Sequence, residues 1–222
     1  MSNPVAGRLE IVSDAICPWC WIGKAHLDGA LALLAAEGLT FDIGWLPYQL
    51  NPDMPEGGVD RRTYRTEKFG SWERSQELDA QVADAGRVAG VVFRHDLMAR
   101  TPNTIEAHRL IRLAGADGVQ HAAMERVFRA YFQEGQDIGS RAVLAALGAD
   151  AGMAPLTLAA FAEGDAARDE VVAETLALAQ AGISGVPSFL LDRHLLFSGA
   201  MPAERMADGF RRAVAILRDR AA

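Results

Sequence analysis

Cys17 and Cys20 are the two cysteines of the chain, and they stand three residues apart in Cys17-Pro18-Trp19-Cys20. Two thiols at this spacing can make and break a disulfide. The pair lies between a strand-like segment, Arg8 to Asp14, and the start of an amphipathic helix. A helix N-terminus carries partial positive charge and unpaired amide donors, which favour the thiolate, the form that attacks disulfides. Cys17 is therefore the nucleophile candidate. Cys20, about one helical turn further on, is placed to attack the mixed disulfide and release the partner. Pro18 gives up only an amide hydrogen that would have no acceptor inside the helix, and it stiffens the loop. Trp19 reads as a packing or substrate-contact ring, and the residue pair it forms with Pro18 tunes thiolate stability and hence potential. Asp14, three residues before Cys17, is close enough to act on the thiol, although a role in the strand-end turn explains it equally well.

Two plainer readings of the cysteines stay open at this point. Structural zinc needs four ligands, and His26, His95, His108, His121 and His194 form no second pair at ligand spacing, so no metal is expected. Free cysteines are also often buried as small hydrophobes. Exchange chemistry needs no organic cofactor, and none is expected.

The elements that position the pair are legible from periodicity. Leu9, Ile11 and Ser13 alternate with Glu10, Val12 and Asp14, which predicts a first strand. Leu27, Ala30, Leu31 and Leu34 then recur at helical spacing, with Gly38 placed to end the helix. Phe41, Ile43 and Trp45 alternate ahead of Pro47 as a second strand. Asn51 to Gly58 is rich in proline and glycine and marks a loop or boundary. From there to about Gly182 the pattern is helical, with stretches near Ser75 to Val88, His121 to Phe132 and Asp165 to Ala181. Asn103 and Glu106 fit a capping box, and Ser140 can cap a helix through Leu147. Strand grammar returns in Ser188 to Leu191 and Leu195 to Phe197, separated by the polar break Asp192-Arg193-His194. A last helix from about Ala203 to Arg220 carries Met206, Phe210, Ala213, Val214 and Leu217 on one face. Trp45, Phe128, Phe132 and Phe210 are assigned to the core.

The 222 residues are 50% hydrophobic, enough to bury a substantial core in one domain or in one domain carrying an insertion. A net charge of -7 argues against nucleic acid or an anionic membrane as partner. No basic run stands out against that charge. Met1 to Arg8 shows no secretory pattern and no segment is apolar for the length of a bilayer, so the cytoplasm is the expected compartment. Structural disulfides are rare there, which favours a catalytic or metal-binding role for a close cysteine pair.

Gly185-Val186-Pro187 opens the C-terminal strand pair, and taken alone it is a weak signal. Together with strand, Cys-x-x-Cys and helix it resembles the thioredoxin fold, whose members set a cis-proline loop against the dithiol. A long helical segment separates cysteines and proline here, as in the DsbA-like family. Within that family the chain is most similar to the FrnE-type branch. The similarity is carried by Ser13 to Gly23, Leu50 to Pro55, Asn103-Thr104 with Ala107 to Leu110, Ala130 to Gly135 with Asp137-Ile138, and Gly182 to Pro187. It implies an α/β thioredoxin fold with an inserted all-helical domain: residues 1–60 and 182–222 would form the thioredoxin-like domain, and residues 61–181 the insertion. It also implies a thiol:disulfide oxidoreductase in which Pro187 shapes the groove, Val186 offers its backbone to substrate, and Pro18, Trp19, Asn103 and His108 lie near the bound partner. His108 has a solvated or core position as its simpler alternative. Partners would be cysteine-containing proteins or small disulfides, glutathione among them. The motif lacks the histidine of strongly oxidising DsbA proteins, so extreme oxidising power is not implied. Kappa-class glutathione transferases and 2-hydroxychromene-2-carboxylate isomerases share the architecture and make a glutathione-dependent enzyme the alternative. They generally carry serine at the position of Cys17, and the presence of both thiols favours exchange. A binding module that grips unfolded chains is the third class, supported by apolar content alone.

Overall fold

The computed structural model describes residues 5–221. The expectations for the start of the chain at residues 1–4 and for the domain limit at residue 222 lie outside the described residues. The polypeptide runs β1 (Val5–Ser13), α1 (Pro18–Ala36), β2 (Thr40–Pro47), β3 (Val59–Asp60), α2 (Arg61–Phe69), α3 (Trp72–Val88), a short 3-10 turn (His95–Leu97), β4 (Arg100–Thr101), α4 (Ile105–Ala114), α5 (Gln120–Phe132), α6 (Arg141–Asp150), α7 (Pro155–Glu163), α8 (Arg168–Gln180), β5 (Ser188–Leu191), β6 (His194–Ser198) and α9 (Ala203–Ala221).

The central sheet has the order β2-β1-β5-β6. β1 is parallel to β2, with Ile11 beside Trp45, and antiparallel to β5, with Ile11 beside Phe189. Alternation along the strands divides the apolar residues between the two faces. Leu9, Ile11 and Phe189 join Leu27, Ala30 and Leu34 of α1 and Met206, Ala207 and Phe210 of α9 in the main core. Val12, Leu46 and Leu190 face the other way and are covered by Leu178 of α8 and by Ile183. Phe189, Phe197 and Phe210 pack ring against ring, with centroids 4.9 to 6.3 Å apart. Full burial of a ring of this size stabilises by about 1.5–3 kcal/mol.

Local signals end the elements where expected. α1 stops with Gly38 at φ +83, and the amides of Gly38 and Leu39 return to Ala35 O and Leu34 O, the paired bonds of a Schellman turn. β5 and β6 are joined through Asp192 and Arg193, both at positive φ, the conformation that suits the twist of a tight hairpin. Ser140 accepts from Val143 N at the start of α6.

The inserted segment departs from an all-helical block in two respects. It is entered through the ladder β3–β4, where Val59 pairs with Thr101 and Asp60 with Arg100, so residues 59–60 are tied to it across the expected boundary. Its last helix, α8, supplies the cover for the second face of the sheet, because an apolar sheet face left open to water would forfeit its burial. Two helices not separated in the periodicity are α2, capped by Asp60, whose side chain accepts from Thr63 N, and α7, which starts at Pro155. An aromatic column of Trp21, Phe93, Phe132 and Phe128 welds α1 to α5, with Trp21 and Phe132 stacked at 5.7 Å.

Candidate active site

β1, an interior strand, ends at Ser13, and a turn then brings the chain into α1. The Cys17 amide donates to Asp14 O at 3.0 Å, and the Cys20 amide donates to Cys17 O at 3.0 Å. Cys17 is thus the N-cap of α1, extended at φ -88 and ψ 113, and Pro18 occupies the first helical turn. Cys17 is 5% exposed and Cys20 0%. Both are thiols here. Burial pushes the Cys20 thiol well above its ordinary range, hydrogen bonding with Cys17 and the charge of Cys17 act in the same direction, and the Ser13 hydroxyl and the Asp14 backbone oppose them.

Val186 and Pro187 reach the same place from the far end of the chain. The peptide bond between them is cis. The Cys17 thiol points at Val186 O, 3.8 Å away. Pro187 lies directly on α1 at Gly23: a Cβ at residue 23 would come 2.9 Å from Pro187 Cγ. The loop is held by Gly199 N donating to Pro187 O at 2.8 Å and by the Ser188 hydroxyl, 2.7 Å from Gly185 O and 2.6 Å from the Ser198 hydroxyl.

Cys17, Pro18, Trp19 and Val186 line one cavity of about 410 Å³ between α1, the proline loop and the inserted helices. Trp19 is 44% exposed at its rim, which leaves the ring free for contact. α2 supplies a wall that sequence reasoning missed: Arg61, Tyr64, Arg65, Lys68 and Phe69. The signal was present, since four cations fall within residues 61–68 of an acidic chain, and the expectation of no basic run is corrected accordingly. Arg61 and Arg65 each donate to one oxygen of Asp79, both at 2.7 Å. His95, also in the lining, is lowered to about 4 by burial, with Asp79 working against that and Arg61 and Arg65 adding to it. Burial raises the Tyr131 phenol well above its usual range, and its hydroxyl donates to Arg100 O.

Asn103 and His108 are not brought to this cavity. Asn103 Nδ2 donates to Met54 O at 2.7 Å and its Oδ1 accepts from Ile105 N at 3.0 Å. The capping box does not form, because Glu106 accepts instead from Arg109, Arg141 and Arg168, and charge-assisted bonds to guanidinium outcompete one to a neutral amide. His108 is buried, with Nε2 donating to Tyr48 O at 3.0 Å and lying 3.5 Å from Asp14 Oδ1. Asp14 is fully buried and serves as a staple: Oδ2 accepts from Leu50 N at 2.7 Å, which fixes the loop carrying Leu50 and Asn51 into the cavity wall. Trp45, Phe128, Phe132 and Phe210 are core residues. Among the described residues no group of three His, Cys, Asp or Glu side chains is arranged to hold a metal, and no helix is long and apolar enough to cross a membrane.

A dithiol at the N-terminus of the helix after β1, set against a proline loop ahead of β5, defines a thioredoxin-fold protein with disulfide-exchange architecture. The DsbA-like thioredoxin domain family matches residues 8–211, and the chain belongs to that family. It is similar to a probable DsbA oxidoreductase from Streptomyces coelicolor, with 30% identity and a TM-score of 0.82 over 93% of this chain and 89% of that one. The uncharacterized protein YwbO of Bacillus subtilis (strain 168) is 26% identical over 83% of this chain and 86% of its own length. The cytosolic disulfide reductase DsbM of Pseudomonas aeruginosa shares the fold at 22% identity, with a TM-score of 0.63 over 97% of this chain and all of that one.

Proposed function

We propose that this protein is a thiol:disulfide oxidoreductase in which Cys17 attacks and Cys20 resolves, of the FrnE-type branch and working in the cytoplasm. The observation that carries the reading is the placement of Cys17, capping α1 in the lining of a cavity with Cys20 buried one turn behind it. The order of the two steps follows from their surroundings. Cys20 is kept protonated by burial and by the charge on Cys17. Once Cys17 is bonded to a substrate sulfur that charge is gone, and Cys20 ionises more readily to displace the substrate. Pro187 and Val186 shape the groove, and Val186 O, which accepts from the Cys17 thiol at 3.8 Å, is the backbone acceptor a bound partner would take over. Cysteine-containing proteins and small disulfides, glutathione among them, are the substrate classes.

The test is equilibration of the Cys17/Cys20 pair in graded glutathione buffers, read by thiol trapping and intact mass. A clean internal disulfide is expected, with all exchange lost in Cys17→Ser and a trapped mixed disulfide in Cys20→Ser. Unchanged turnover in Cys17→Ser would end the proposal. A glutathione adduct on Cys17 with no internal disulfide would move the protein to the glutathione-dependent class.

A further inference from the structure

The cavity that Cys17 helps to line carries both apolar and cationic side chains. Phe69, Val82 and Phe132 line it together with Arg61, Arg65 and Lys68, and the sole carboxylate in the lining is Asp79. Asp79 is fully used, with one oxygen on each arginine at 2.7 Å. Lys68 has no carboxylate within ion-pair distance among the described residues. Its Nζ donates instead to two neutral oxygens, Tyr64 Oη at 2.5 Å and Asn51 Oδ1 at 3.2 Å. The Tyr64 hydroxyl proton is in turn committed to Asn51 Oδ1 at 2.6 Å. Asn51 Nδ2 is buried without a hydrogen-bond partner. Three cations thus meet one anion, and one of them, the Lys68 ammonium, keeps a proton to spare. In a chain of net charge -7 this local excess runs against the general field, and in a partly apolar recess it attracts an anion more strongly than in open water.

The sulfur's position limits what can reach it. Cys17 is 5% exposed and lines a cavity of about 410 Å³, a volume typical of small-ligand sites. A recess of that volume is large enough to hold a small disulfide.

We propose that the site takes a low-molecular-weight disulfide bearing a carboxylate or a comparable anionic group, with Lys68 and Arg65 receiving the anion while one sulfur meets Cys17. The inference rests on the thiol-exchange reading. Cys17 thiolate attacks one sulfur of R–S–S–R: the Cys17–S bond forms, the R–S–S–R bond breaks, and RS⁻ leaves and takes a proton from solvent. Cys20 thiolate then attacks Cys17 Sγ, forming the Cys17–Cys20 disulfide and releasing the second RS⁻, which is protonated likewise. Two electrons pass from the dithiol to the substrate, which becomes two thiols.

The experiment mixes reduced protein with dithiodipropionate (dianion), hydroxyethyl disulfide (neutral) and cystamine (dication) in single turnovers at low salt. Each rate is divided by that of the same disulfide with free dithiothreitol, which removes intrinsic reactivity. The dianion is expected to exceed the neutral compound by about tenfold and the dication to fall below it. In 0.5 M salt the preference shrinks to about twofold, because exposed charges at the rim are screened. In Lys68→Gln the ratio of dianion to neutral falls about threefold. Equal normalised rates for the three, with the internal disulfide formed each time, would overturn the inference and leave the exchange reading intact. Insulin disulfides reduced faster than dithiodipropionate would overturn it in favour of polypeptides. Failure of all of them to oxidise the pair would sink the exchange reading itself.

Discussion

Gly23→Ala isolates the contact between the cysteine helix and the proline loop. The added methyl would sit 2.9 Å from Pro187 Cγ, 3.6 Å from Pro187 Cβ and 3.7 Å from Ala200 Cβ. Carbon pairs are comfortable at about 3.5–4.0 Å, so the proline ring must yield by roughly 0.6 Å or more. It cannot slide freely, because Pro187 O is bonded to Gly199 N at 2.8 Å and the residue leads straight into β5. Overpacking of this kind costs about 1–3 kcal/mol. Replacing glycine by alanine inside a helix returns about 1 kcal/mol. The clash wins, with a net loss of about 1 kcal/mol, seen as a Tm about 2–4 °C lower for a chain of this size. The second readout is exchange: displacing the loop widens the 3.8 Å approach of Cys17 Sγ to Val186 O, and the single-turnover rate is expected to fall about tenfold, in line with the sensitivity of reacting groups to misplacement. Thermal unfolding of the reduced protein and the rate of Cys17–Cys20 disulfide formation measure the two. A variant as stable as the parent, or more so, with an unchanged rate would show that the loop is not docked on α1 as described.

His95 makes stability depend on pH. Its folded value of about 4 lies below the unfolded value of about 6.5, so its contribution is complete above pH 6.5 and is lost as pH falls towards 4, where the unfolded chain takes up a proton that the folded one refuses. Between pH 7 and 5 the loss is about 1 kcal/mol once partial solvent access is allowed for. Urea unfolding at both values should show that difference shrinking in His95→Gln, and an undiminished difference would refute the assignment. Glu106→Gln strips the carboxylate from Arg109, which is fully buried, and from Arg141 and Arg168. Arg109 keeps the carbonyls of Ala166 and Gly164, so the expected cost is about 3 kcal/mol by urea midpoint. A cost below about 1 kcal/mol would class the cluster with ordinary surface pairs. Brief iodoacetamide treatment of the native protein near pH 7 is expected to label Cys17 and spare Cys20, whose thiol burial keeps protonated, with both labelled in denaturant. Equal labelling of the two in the native state would contradict the burial of Cys20.

Much of the frame was legible because it is written in short-range patterns. The alternation of Leu9, Ile11 and Ser13, the Cys-x-x-Cys at a helix start, the Gly38 stop and the Asp192-Arg193 hairpin each depend on residues a few positions apart, and each stands in the structure. The family resemblance extended that reading to the pairing of Cys17 with Val186 and Pro187. Local pattern misled at Asn103 and Glu106, where capping spacing is satisfied but distant arginines claim the carboxylate. It also passed over α2, whose mean polarity hid that one side closes the cavity.

The sequence by itself determined which atoms are available for chemistry, two thiols at one helix start, since helix, strand and turn preferences act over single turns. Tertiary structure alone decided the burial of Cys20 behind Cys17, the docking of Pro187 on Gly23 and the cationic wall facing the thiol. Those contacts join segments tens to well over a hundred residues apart, and they exist only because the whole core and its insertion pack at once.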